Sequence, residues 1–177
     1  MIRILFLCET YVKYSYQLLT YTIKASKLLS LVQKRTKGGS MTLLEDIQVL
    51  KKVADNLFIK VSKETDLNSN EIRVLLFLYK NEKLDIATNI VENLMISKSH
   101  VSYSVETLRN KKYIKRIQDN NDKKKFHLKL TKKAEKIIQI FEKEQNQLLE
   151  QLFQGISVNE KDQFIKICNK ILENAKL

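Results

Sequence analysis

The chain has 177 residues, of which 44% are hydrophobic and 29% charged, with no Pro, three Gly and a formal net charge of +12. That length allows one domain, or one domain with an appendage, and a sizeable core, and the shortage of helix breakers favours long helices. Cys8 and Cys168 lie far apart, the two histidines make no metal pair, and three glycines build no phosphate loop. Metal-dependent, thiol-redox and nucleotide-binding enzymes are therefore set aside, and no cofactor is expected.

The charge is concentrated. Residues 1–40 hold seven Lys/Arg against one acid, and residues 97–133 hold twelve against Glu106, Asp119 and Asp122, so the remainder is slightly acidic. Positive charge focused on one segment is the footprint of a polyanionic partner.

Residues 1–40 carry four of the seven tyrosines. Their apolar run Ile4–Cys8 is too short for a secretory signal, and no window reaches the ~18 apolar residues of a membrane span. Two readings stay open: a basic amphipathic helix, or a translated leader. In the second, Lys37-Gly38-Gly39 reflects a ribosome-binding sequence in the gene and Met41 is the natural start.

From Met41, the apolar positions Leu43, Ile47, Leu50, Ala54, Leu57 and Val61 step by four and three, which predicts a helix over about 42–63 with a continuous seam. Asn68 with Glu71 forms a capping signature before "IRVLLFLYK", a helix apolar nearly all round and so central. "LDIATNIVENLM" predicts a shorter helix with Ile86, Ile90 and Leu94 inward. Ser97 then caps a helix running to about Lys112, and the tight connection gives a helix-turn-helix over about 84–112. Phe126, Leu128 and Leu130 alternate with polar residues, Tyr113–Gln118 is β-rich, and "DNNDK" supplies the turn. Together they predict a two-stranded wing over about 113–130. Thr131 is the expected cap of a helix with the seam Ala134, Ile138, Phe141, Gln145, Leu148 and Leu152; Gly155 ends it, and Ser157 with Glu160 caps a final helix. Three long seams exceed what a small middle can cover, so a homodimer is expected through helices at about 42–63 and 131–177.

With Val101, Val105 and Leu108 turned to the core, Ser99, Tyr103, Glu106 and Asn110 point outward and Ser102 lies on the flank. Ser side chains permit close approach to base edges, while Tyr103 can reach a phosphate or a thymine methyl. Lys98 and His100 flank that face. Arg109 follows at the end of the helix, and Lys123, Lys124 and Lys125 sit past the wing turn, where a hairpin tip meets backbone phosphates or a minor groove. Asp122 is expected to order the wing internally.

These stretches resemble a family, the multiple antibiotic resistance regulators (MarR family), bacterial winged helix-turn-helix transcription factors. The resemblance covers about residues 41–177 and rests on "ISKSHVSYSVETL", "YIKR", the wing "DNNDKKK", "LKLTKKAEK" and "ISVNEKDQF" in that order. It implies a mainly α fold of five to six helices plus the wing. It also implies a homodimer on a pseudo-palindromic operator in double-stranded DNA, with the recognition helix in the major groove and the wing in the minor groove. Ser97 to Tyr103 would read or anchor on DNA, Lys123 or Lys124 would replace the wing arginine, and Asp122 would match the ordering aspartate. Gly is usual in the family where Lys112 and Ala134 stand, and lysine at the wing tip lacks arginine's planar fork. Many members sense a small molecule, so an effector is expected. With Cys168 the only cysteine in this region, peroxide sensing through a thiol is disfavoured. The expected location is cytoplasmic, with no membrane partner. The competing reading is a basic helical module that binds an acidic protein, RNA or a membrane surface.

Overall fold

The computed structural model describes residues 42–94 and 96–174. The two readings of residues 1–40 and the start at Met41 lie outside the described residues. In chain order the elements are α1 (Thr42–Glu64), α2 (Ser69–Lys80), α3 (Ala87–Leu94), α4 (Lys98–Asn110), β1 (Ile114–Gln118), β2 (Phe126–Leu130), α5 (Lys132–Leu152) and α6 (Val158–Asn174). The chain divides into two compact units, residues 56–144 and the remainder.

The 56–144 unit is built on α2. Asn68 accepts from the Asn70 and Glu71 amides while Glu71 accepts from the Asn68 amide, closing the capping box that the sequence announces. Such a cap contributes about 1 kcal/mol. Ile72, Val74, Leu75 and Leu76 are fully buried, as the all-round apolar pattern requires, and they share the core with Val61, Ile90, Val101, Leu108 and Phe141. The Phe58 and Phe141 rings lie 5.1 Å apart in a tilted pair, and the Arg73 guanidinium sits 3.9 Å over Phe58. Buried Glu144 is paired with Lys60.

Helix α3 begins at Ala87, three residues later than the apolar pattern suggested, because Asp85 is engaged elsewhere. Its carbonyl accepts the Leu128 amide at 2.8 Å and so extends the edge of β2. The wing strands pair antiparallel, with Ile114 opposite Leu130 and Gln118 opposite Phe126. Leu128 is buried and Phe126 and Leu130 are half-buried, in line with the alternation.

Lys112 stands at φ +64°. The Lys112 amide donates to Arg109 O at 2.9 Å and the Tyr113 amide to Leu108 O at 2.8 Å. This is a Schellman turn, with buried Leu108 and Tyr113 providing the apolar contact that accompanies it. Lysine thus occupies the left-handed position that favours glycine. Thr131 does not cap α5 with its hydroxyl. That group instead donates to the Lys112 and Tyr113 carbonyls at 2.8 and 3.2 Å, locking the turn from the far end of the wing. Lys112→Gly is expected to stabilise the protein by about 0.5–1 kcal/mol, the relief of the Cβ clash less the extra unfolded-state freedom of glycine. Urea denaturation should show a higher midpoint at unchanged slope; a lower midpoint would mean that the lysine side chain holds the turn.

In the second unit, Ser157 and Glu160 form the expected capping box of α6, with the Glu160 carboxylate accepting from the Ser157 amide at 2.8 Å. Phe153 and Phe164 meet edge to face at 6.4 Å. Leu50, Leu152, Val158 and Ile167 stay exposed, Val158 at 71%.

Candidate nucleic-acid interface

Helix α4 buries Val101, Ser104, Val105 and Leu108 and turns its other sides outward. The face this leaves free is the one the sequence singled out: Ser97, Lys98, Ser99, His100, Ser102 and Tyr103 are all exposed, Tyr103 at 68%. Ser97 is the N-cap. Its hydroxyl oxygen lies 3.4 Å from the His100 amide and 3.0 Å from both Ser99 Oγ and His100 Nδ1, so the first turn carries a linked hydroxyl–imidazole cluster. The free backbone N–H groups of that turn add partial positive charge beside it. Arg109 is exposed but bound to Glu106 at 2.5 Å, so its charge is partly spent within the helix.

The wing tip puts Lys123, Lys124 and Lys125 into solvent. Asp122 Oδ1 accepts the Lys124 amide at 2.9 Å and the Asp122 carbonyl accepts the Lys125 amide at 2.9 Å. Asp119 does as much for the turn: its Oδ1 accepts the Asn121 and Asp122 amides at 2.8 and 2.9 Å. Between α4 and the wing runs a cleft of about 430 Å³. Ser102 and Glu106 line one side, Arg116, Lys124 and Lys125 the other, with Val105 and Leu128 as apolar floor. It brings Ser102 of the helix together with two of the three tip lysines; Lys98, Arg109 and Lys123 lie outside its lining.

Three residues that sequence reasoning passed over connect these parts. His127 Nδ1 lies 2.7 Å from Asp85 Oδ1, its Nε2 lies 2.9 Å from Asp119 Oδ2, and Lys129 Nζ reaches Asp85 Oδ2 at 2.6 Å. Asp119 and then Asp85 raise the His127 pKa above its ordinary 6.5. His127, helped by the Asn121 and Asp122 amides, lowers that of Asp119 to about 2. Burial opposes the charge on Asp85, but Lys129 and His127 outweigh it and hold its carboxyl below the usual range. At the base of the wing, the Tyr113 hydroxyl donates to Asp66 at 2.6 Å, and burial followed by Asp66 pushes its pKa up to about 12.

Among the described residues no group of His, Cys, Asp and Glu could hold a metal ion, and no helix is long and apolar enough to cross a membrane. The one cysteine described, Cys168, is half-buried, and burial pushes its thiol pKa up.

Two adjacent short helices followed by a hairpin, with the exposed face of the second helix beside a basic hairpin tip, define a winged helix-turn-helix. Residues 67–134 match a family described as a winged helix DNA-binding domain. The chain is 27% identical over 114 residues to the transcriptional repressor MprA of Escherichia coli K12, covering 64% of this chain and 65% of that protein. It thus spans about two thirds of that relative's length. A MarR transcriptional regulator from Methanosarcina mazei Go1 superposes with a TM-score of 0.67 at 19% identity, over 77% of this chain and 97% of the other. The MepR–DNA complex of S. aureus gives 0.60 at 19%, over 80% and 100%. The fold is that of the solved MarR structures, and the winged helix match lies within it over residues 67–134.

Proposed function

We propose that this chain is a transcriptional regulator that binds double-stranded DNA as a homodimer on a pseudo-palindromic operator. The recognition helix α4 lies in the major groove and the wing in the flanking minor groove. The observation that carries this reading is the juxtaposition across one cleft of Ser102, on the exposed face of α4, with the wing-tip residues Lys124 and Lys125. Ser99, Ser102 and Tyr103 face base edges; Ser97, Lys98, His100 and Arg109 hold the phosphates beside them, and Lys123, Lys124 and Lys125 take the next strand. Asp122 orders the wing. The relative's repressor activity and the DNA bound by MepR agree with this assignment. Dimerisation is supported by the exposed apolar side chains Leu50, Leu152, Val158 and Ile167. The cleft, apolar below, with Arg116, Lys124 and Lys125 on one side and Glu106 on the other, suits a small amphipathic effector whose anionic end would compete with DNA for the same lysines. The family has no catalytic role to assign here, and the cytoplasm is where such a regulator works.

Selection of bound duplexes from random DNA tests the reading. An inverted repeat is the expected product, with affinity falling steeply in salt. Ser99→Ala or Tyr103→Ala should change the preferred bases, each by about 1–3 kcal/mol of discrimination, while leaving the salt slope unchanged. Binding that never resolves a preferred sequence, or that favours RNA, overturns it.

A further inference from the structure

His127 sits on β2, opposite Ile117 of β1, and both of its ring nitrogens face carboxylate oxygens, 2.7 Å away at Asp85 and 2.9 Å at Asp119. A neutral imidazole has one donor and one acceptor nitrogen, whereas an imidazolium has two donors. Both contacts are therefore attractive together only in the charged form. We propose that protonated His127 is the positioning residue of the wing, clamping the turn that presents Lys123, Lys124 and Lys125 to the loop before α3, and that loss of its proton loosens the basic tip on DNA. The consequence for DNA rests on the function proposed above; the clamp itself rests on side-chain geometry.

The clamp reaches the tip through few atoms. Asp119 holds His127 with Oδ2 and, with Oδ1, the amides of Asn121 and Asp122, while its own amide donates to the Lys125 carbonyl at 3.0 Å. On the other side, Asp85 is fixed by Lys129 and by the Leu128 amide on its carbonyl. The charged groups around the ring are thus Asp119 from the wing turn, Asp85 from the loop before α3, and Lys129 of β2 behind Asp85. When the ring is neutral, one nitrogen turns a lone pair toward a carboxylate. One of the two links then becomes repulsive, and Lys129 keeps only the Asp85 end attached.

The pH window follows from the direction of each shift. The folded pKa of His127 is raised, so its contribution is fully present below 6.5 and is lost as pH rises through the folded value. Asp119 and Asp85 are lowered, so their contributions persist above 3.8 and vanish only in acid, for Asp119 near 2. The release therefore lies above the ordinary histidine value of 6.5.

The chain contains only two histidines, which makes the test direct. In full-length His100→Gln protein, the remaining imidazole is followed by NMR from pH 5 to 9, together with the amides of Asn121, Asp122 and Lys124. The ring is expected to be doubly protonated at pH 6.5, and the three amides should move with its titration. Titration at or below the ordinary histidine value, or amides indifferent to it, overturns the clamp. Affinity of the unsubstituted chain for a selected duplex is then measured at constant ionic strength. It should fall about three- to tenfold from pH 6.5 to 9, since one unit of difference in histidine pKa between clamped and released wings is a tenfold effect. His127→Gln protein should bind more weakly than the unsubstituted chain at pH 6.5 and lose that fall; persistence of the same fall overturns the positioning role. Absence of duplex binding at every pH, with the titrating amides as expected, overturns the regulator reading and the DNA consequence but leaves the clamp standing.

Discussion

Alanine at Lys123, Lys124 and Lys125 together is expected to weaken binding to every duplex, on the order of tenfold to a hundredfold at 0.15 M salt. The slope of log affinity against log salt should flatten by roughly two to three per wing, because each lost phosphate contact removes about 0.9 from that slope. The loss should be electrostatic and little else. The tip backbone is held by atoms these substitutions leave in place: the Asp122 carboxylate on the Lys124 amide, the Asp119 amide on the Lys125 carbonyl, and Gln118 Nε2 on the Lys123 carbonyl at 2.8 Å. All three side chains are exposed, so the core is untouched. Base preference should survive, since the proposed reading gives it to α4. Fluorescence anisotropy over a salt series, on selected and random duplexes, checks both points; an unchanged slope would remove the wing from the interface.

Phe141→Ala should destabilise the 56–144 unit by about 3–5 kcal/mol, within the range for deleting a buried aromatic ring. Phe141 is fully buried and its ring meets Phe58 in a tilted pair, with the Arg73 guanidinium over Phe58, so Phe58 cannot move into the void without disturbing that cation–π contact. Against a typical total of 5–15 kcal/mol, that is a large share of the stability. Chemical denaturation should show the midpoint fall sharply, with Phe141→Leu retaining much of the lost stability. A loss below about 1 kcal/mol would mean that this part of the core repacks freely.

Much of this architecture is written in local spacing. The steps of four and three along Leu57 and Val61 and along Ala134, Ile138 and Phe141 mark helix faces that are in fact buried, and the Asn68–Glu71 pair fixes the start of α2. The alternation of Phe126, Leu128 and Leu130 reveals a strand because side chains on a strand alternate between faces. The exposed face of α4 follows from the same geometry, once Val101 and Leu108 are set inward. What local pattern does not carry is pairing at a distance. Asp85 and His127 are 42 positions apart and Asp66 and Tyr113 are 47 apart, and no periodicity links them. A histidine between two lysine-rich stretches reads as one more polar residue until the fold brings a carboxylate to each ring nitrogen. Thr131 shows the same limit: a threonine before a helix is a good cap by type, yet two carbonyls from the preceding turn claim its hydroxyl. The left-handed backbone at Lys112 lies beyond composition too, because a well-anchored turn tolerates a side chain that an isolated one would reject.

The wing has one further property, and it concerns the free protein in a crowded solution. A two-stranded sheet offers open edges, and unpaired strand edges are templates for joining one molecule to another. The edge of β2 is shielded where the Asp85 carbonyl takes up the Leu128 amide. On β1, Lys115 and Arg116 stand exposed beside Ile117, which is itself half out in solvent. Two such strands brought side by side would set cation against cation before their backbones could pair. Self-avoidance of the free wing would thus come from the cations of its own edge strand.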